Sequence, residues 1–149
     1  MKVLFLDIDG VLNREGTKAR IKLPKYAWTC GLDEELLARF LKWREGKDFY
    51  IVLSSMWRYH DDLLEYLREE GVEFIDITER GGGFGALHDT IRGVEVANYL
   101  QDHPEVTKYA IVDDVKWFLP YQEPFIVYTD PDTGITEDDL KKLDSILDF

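Results

Sequence analysis

The chain has 149 residues, a single cysteine, and thirty acidic against eighteen basic side chains, for a formal net charge of −12. That length suits about one domain able to bury roughly 68–70% of the surface of its unfolded chain. The lone Cys30 excludes an internal disulfide and any multi-cysteine zinc site, and the acidic balance opposes non-specific attachment to nucleic acid or anionic membranes.

The first thirteen residues, MKVLFLDIDGVLN, organise the rest. Val3 to Leu6 form a continuous apolar run, which predicts a strand buried on both faces of a parallel sheet. It delivers Asp7 and Asp9 onto a turn at Gly10, and ligands of open α/β sheets bind outside the carboxyl ends of strands. Taken alone, an Asp-Gly turn is also an ordinary strand terminator. Residues 13 to 31 show no sustained period and predict an irregular excursion or small hairpin. Between Arg14 and Lys25 they carry five basic residues against Glu15 alone, a local charge of plus four. A helix follows, capped by Asp33, with Glu34 and Glu35 at its positive end, Leu36, Leu37, Phe40, Leu41 and Arg44 on one face, and Gly46 ending it.

Phe49 to Leu53 predicts a second strand running into Ser54, Ser55, Met56, Trp57 and Arg58. A second helix is expected from about Tyr59 to Glu70, and a third strand from Val72 to Ile77. The glycine run GGGFG at 81–85 lacks the GxxxxGK[ST] pattern of a phosphate-cradling loop and is expected to be a mobile loop. Arg92 to Gln101 has helical spacing, Tyr109 to Val112 predicts a strand delivering Asp113 and Asp114, and Phe125 to Tyr128 predicts a fifth. Thr136 caps a terminal helix with Leu140, Leu143, Ile146 and Leu147 as its buried stripe. Alternating strands and helices predict one α/β domain over 1–149, a three-layer sandwich around a mostly parallel five-stranded Rossmann-like sheet. The N-terminal run is too short for a secretory signal and no segment has the roughly eighteen apolar residues of a membrane span. The expectation is a soluble, cytoplasmic monomer.

Acidic or hydroxyl side chains thus follow three strands: Asp7 and Asp9, Ser54 and Ser55, Asp113 and Asp114. Four carboxylates brought together repel unless protonated or joined by a cation, and oxygen-only ligation suits magnesium. The series LFLDIDGVLN, IVLSS, a basic residue and AIVDD resembles, in order, the four motifs of the haloacid dehalogenase-like superfamily of phosphotransferases. More narrowly, SSMWR, RGVEVANYL with YAIVDD, and TDPDTGIT resemble the domain of that superfamily found in Swiss Army knife RNA repair proteins.

The resemblance implies a magnesium-dependent phosphatase in which Asp7 attacks phosphorus to form an aspartyl-phosphate and Asp9 acts as general acid and base. It places magnesium on Asp7, the Asp9 backbone carbonyl and the Asp113/Asp114 pair, leaving open which of the pair ligates directly. It gives Ser54, with Ser55 as the fallback, to the phosphoryl oxygens, and Arg92 to the basic third motif, with Lys108 and Arg80 as competitors. Arg58 stands near a helix N-terminus, where a cation is disfavoured, and is expected to bind substrate phosphate, to orient the carboxylates, or to pair with Asp61 or Asp62. Trp57 is expected to pack. His60, His88 and His103 share no metal-site spacing.

No domain-sized cap is inserted, so the site should be open and suit large substrates such as phosphorylated nucleic-acid ends or proteins; the expected substrate is a polynucleotide end or a nucleotide, without a stable nucleic-acid complex. The 14–25 segment either guides that anion or merely balances an acidic body. Two rivals remain: a receiver-like phospho-accepting module, for which Asp76 is the poor candidate acceptor, and a binding domain that keeps the fold without turnover.

Overall fold

A computed structural model describes residues 1–18, 28–80 and 90–149. Its five strands are β1 (Lys2–Leu6), β2 (Tyr50–Leu53), β3 (Asp76–Ile77), β4 (Lys108–Asp113) and β5 (Ile126–Tyr128). They form one sheet in the order β3-β2-β1-β4-β5, and every pairing is parallel. Among the described residues four α-helices accompany it: α1 (Glu34–Arg44), α2 (Asp61–Glu69), α3 (Ile91–Asp102) and α4 (Glu137–Leu147).

The apolar runs explain the three layers. Side chains alternate across a strand, so Leu4, Leu6, Ile51, Leu53, Ala110 and Val112 enter one core with leucines of α1, α2 and α4. Val3, Phe5, Val52 and Ile111 enter the other, closed by Val96 and Tyr99 of α3 and by Phe118. Both faces of the sheet are therefore buried, which is why these strands read as continuous hydrophobic runs.

Two expected elements change shape. The second helix does not begin at Tyr59: the Ser55 hydroxyl accepts the Trp57 amide and starts a 3₁₀ turn, Met56–Tyr59, which breaks at extended His60 before α2. The third strand is two residues rather than six, because only Asp76 and Ile77 join the ladder to β2 at the sheet edge. A 3₁₀ segment at Pro120–Phe125, unforeseen in the sequence, precedes β5. The expected hairpin falls partly, and the glycine run entirely, outside the described residues. Among the described residues no helix is long and apolar enough to cross a membrane.

Helix α1 is anchored at its start. The Asp33 carboxylate accepts the amides of Glu35 and Leu36 at 3.0 and 3.2 Å, while Arg14 and Thr17 donate to its other oxygen at 3.1 and 3.0 Å. Burial opposes this charge, yet the Leu36 amide, Thr17 and Arg14 hold the carboxyl below its ordinary range. Asp33→Ala should cost about 1–2 kcal/mol, seen as a melting point lowered by roughly 2–8 °C. A depressed carboxyl stabilises above its unfolded pKa and loses that contribution as pH falls through the folded one. The gap between wild type and Asp33→Ala should therefore close on acidification below 3.8.

Candidate active site

The strand order puts β1 between β2 and β4, so the chain's direction of winding reverses beside β1, and ligands of open α/β sheets bind at such a switch point. Three side chains stand there in register. Leu6 pairs with Leu53 and with Val112, so the next residues on the three strands are Asp7, Ser54 and Asp113. Backbone bonds continue past the ladder, from the Ser54 amide to Leu6 and from the Asp7 amide to Val112, at 2.8 and 3.1 Å. The edge that carries the chemistry is thus part of the sheet.

Asp7, Asp113 and Asp114 each offer an oxygen within 4.8 Å of the others. Asp7 and Asp113 are buried and Asp114 is half-buried. Arg92 enters from the first turn of α3, its Nη1 2.6 Å from Asp113 Oδ2 and 3.2 Å from Asp7 Oδ2. Burial and then the charge of Asp113 push Asp7 up to about 8. Burial and then Asp7 raise Asp114 to about 6. Burial also raises Asp113, with Arg92 pulling against it. For Arg92 burial works against its charge, but Asp7 and Asp113 more than offset this and raise its pKa. One guanidinium does not neutralise three carboxylates, and oxygen-only donors around an unbalanced charge suit a hard divalent cation.

Asp9 lines the same hollow but its side chain is not in that cluster. Its Oδ1 accepts Asn13 Nδ2 at 2.8 Å and Thr29 Oγ1 at 2.5 Å, and its Oδ2 accepts the Trp57 indole at 3.2 Å. A side-chain metal role is therefore not what its surroundings provide; they orient the carboxylate. Asn13 also accepts the Gly10 amide and donates to Gly31 O, closing the turn. Gly10 is required there: its φ is +81° and a Cβ would fall 2.6 Å from the Asp114 carboxylate carbon. The TDPDTGIT stretch buttresses this turn, with Thr129 Oγ1 on Gly10 O and the Ile135 amide on Val11 O.

The remaining expected residues sort by environment. Ser54 Oγ is buried and finds no hydrogen-bond partner among the described residues, an arrangement costing about 1–3 kcal/mol unless a ligand completes it. Ser55 Oγ accepts the Trp57 amide, which places it at the start of the 3₁₀ turn. Arg58 corrects its expected roles. All five of its N–H donors are used: on Thr78 O, Ser54 O, Ser55 O, Tyr59 Oη and Glu95 Oε2. It ties the ends of β2 and β3 to α3 and has nothing left for a phosphate, nor does it pair with Asp61 or Asp62. Lys108 lies at the start of β4, paired with Asp148. Arg80 lies over the Tyr59 ring at 4.8 Å. In the basic segment, Arg14 is bound to Asp33 and Glu35, and Arg20, Lys22 and Lys25 lie outside the described residues. His103 stacks on Tyr99 at 3.9 Å, the His60 ring lies 5.5 Å from Trp28, and His88 is outside the described residues.

Sequence reasoning missed Asn13, Thr29, Glu95 and Gln122. Gln122 is fully buried; it donates to Gly93 O and accepts the Leu119 amide, fastening the first turn of α3 beside Arg92. A Cβ on Gly93 would lie 2.6 Å from Leu119 N, so only glycine lets the helix dock this closely. Asn13 alone carried a local signal, its place in the turn.

An all-parallel five-stranded sheet flanked by helices, with acidic residues at the ends of its first and fourth strands, is the arrangement of a haloacid dehalogenase-like (HAD) domain. The family model of the HAD domain in Swiss Army Knife RNA repair proteins matches residues 3–140, and the chain belongs to this family. Neither a curated protein nor a solved structure matches it. Membership supports hydrolase chemistry of the phosphatase type at the level of the superfamily, which generally uses magnesium.

Breaking the Arg58–Glu95 pair, 2.7 Å long with both side chains about 97% buried or more, leaves an uncompensated interior charge. Glu95→Ala should cost about 3–5 kcal/mol in urea unfolding. Replacing both partners, by Arg58→Met with Glu95→Leu, should recover little of that loss, because the carbonyls of Thr78, Ser54 and Ser55 then lose their donor.

Proposed function

We propose that the domain is a magnesium-dependent phosphomonoesterase working through an aspartyl-phosphate on Asp7, with a phosphorylated nucleic-acid end or a nucleotide as substrate. The observation that carries this reading is the cluster of Asp7, Asp113 and Asp114 beside the orphaned Ser54 hydroxyl at the switch point. Asp7 and Asp114 fit the metal: both line the hollow, and burial and neighbouring charge raise the pKa of both. Asp113 is better suited to orienting Arg92, since its Oδ2 holds that guanidinium and its Oδ1 accepts the Val115 amide at 3.0 Å. When bound, magnesium offsets the charge of these carboxylates and of the substrate phosphoryl group.

The chain's own residues then divide the work. An Asp7 oxygen attacks phosphorus, the ester P–O bond breaks, and Asp9 gives its proton to the leaving oxygen. Water loses a proton to Asp9 as its oxygen attacks phosphorus, the Asp7–phosphoryl bond breaks, and inorganic phosphate leaves with both carboxyls restored. Arg92 and Ser54 Oγ hold the phosphoryl oxygens in place. Asn13, Thr29 and Trp57 keep Asp9 aimed through both half-reactions. Against a receiver-like module stands Asp76: it accepts its neighbour's amide from Ile77 and lies 3.8 Å from His103, outside the acidic cluster.

Phosphate release from p-nitrophenyl phosphate and from a 3′-phosphorylated oligonucleotide tests the reading directly. Turnover should require magnesium, vanish on chelation and in Asp7→Asn, and fall about 10²- to 10⁴-fold in Asp9→Asn. Full activity in Asp7→Asn would overturn it. Thermal melts give a second check. Asp114→Asn should raise the ion-free melting point, by roughly 2–4 °C for each kcal/mol of repulsion removed. It should also shrink the further rise that magnesium produces in wild type.

A further inference from the structure

The hollow holding Asp7, Asp9 and Asp114 continues into a second one, and the two share Met56, Arg92 and Trp117. Each is about 350 Å³, and the second runs on to Ile91, Tyr59 and Arg80. Its floor is spent: Arg58 has no free N–H, and Glu95 is its partner. What it presents to a ligand is different in kind. Met56 is 52% exposed although it directly follows the buried Ser54–Ser55 pair, and Trp117 adds an indole from the loop that follows Asp113 and Asp114. Arg92 lies 5.5 Å over that indole, and Arg80 lies 4.8 Å over the Tyr59 ring at the far end. The channel thus runs from carboxylates, through a thioether and an aromatic face, to a cation.

We infer that this channel is a nucleoside subsite: the base next to the scissile phosphate packs on Trp117 and Met56, and Arg80 faces the following phosphate. The order of chemical groups matches that of a single strand read inward from its phosphorylated end. Aromatic faces accept any base, and a single exposed cation supplies charge without the dense basic surface that tight polynucleotide binding needs. An end reader on a chain of net charge −12 is built this way, with few phosphate contacts and one stacked base. The subsite deepens the phosphatase reading above and rests on it for the position of the scissile phosphate.

The test compares two single-stranded oligonucleotides bearing a 3′-phosphate, identical except that the terminal residue of one is abasic. With magnesium, wild type should favour the base-bearing end by roughly 5- to 150-fold in kcat/KM, the span of one base stacked on an aromatic side chain. In Trp117→Ala that ratio should fall close to one, and in Met56→Ala part of the way. Because each variant is scored by a ratio, a general loss of activity does not imitate the result. No preference in wild type, or a ratio kept in Trp117→Ala, overturns the subsite while leaving the phosphatase reading intact. If neither oligonucleotide turns over, the 3′-phosphorylated end fails as the substrate and binding decides the subsite. Fluorescence anisotropy of the same two strands with Asp7→Asn should then show a base-dependent affinity that the added Trp117→Ala removes; equal affinities overturn it.

Discussion

Three carboxylates crowd one end of a parallel sheet, and one buried arginine stands between two of them. Asp7 and Asp113 are adjacent because β1 and β4 are adjacent, and Arg92 reaches both because α3 packs on the opposite face from α1, α2 and α4. The arrangement is electrostatically unfinished. A raised Asp7 and a raised Asp114 are the signature of negative charge that burial has stripped of water and one guanidinium has not balanced. Much of the surrounding structure serves to keep that group assembled.

The supports work as a set of ties across the sheet edge. Arg58 binds three strand-end carbonyls and, through Glu95, the helix that carries Arg92 one turn earlier. Gln122 docks the start of the same helix onto the segment after β4. Asn13 and Thr129 hold the glycine turn from either side. Each tie uses a buried polar side chain whose bonding is directed, so the apolar cores supply cohesion and these bonds supply position. The hydroxyl of Ser54, on the strand beside that of Asp7, is buried and without a hydrogen-bond partner among the described residues, as is that of Thr78.

Trp57 shows how a residue can belong to both economies at once. Its ring is fully buried in the main core, as its apolar character demands, while its indole N–H reaches Asp9 from 48 residues away in sequence. Tryptophan is suited to this because its one donor lies at the edge of a large apolar body.

The order of strands and helices, the double burial of the strands and the caps of α1 and α4 were legible in the sequence, because each rests on local periodicity or on a side chain bonding the backbone within three residues. The convergence of Asp7, Ser54 and Asp113 was legible too, once the strands were taken as parallel and their ends as one edge. Arg92 over Lys108 and Arg80 followed from motif order; only packing showed Lys108 at the opposite end of its strand. Arg58 was beyond local reading, since five bonds to partners spread from Ser54 to Glu95 turned an apparent surface cation into an interior brace. The same holds for Thr29, Glu95 and Gln122, each of which has a partner 20 to 37 residues distant. Sequence by itself thus determined which elements form and which groups stand at their ends, because those follow from short-range bonding and burial. Tertiary structure alone decided which of those groups face a ligand and which are consumed by the protein, because a donor's availability depends on every acceptor that folding brings within reach.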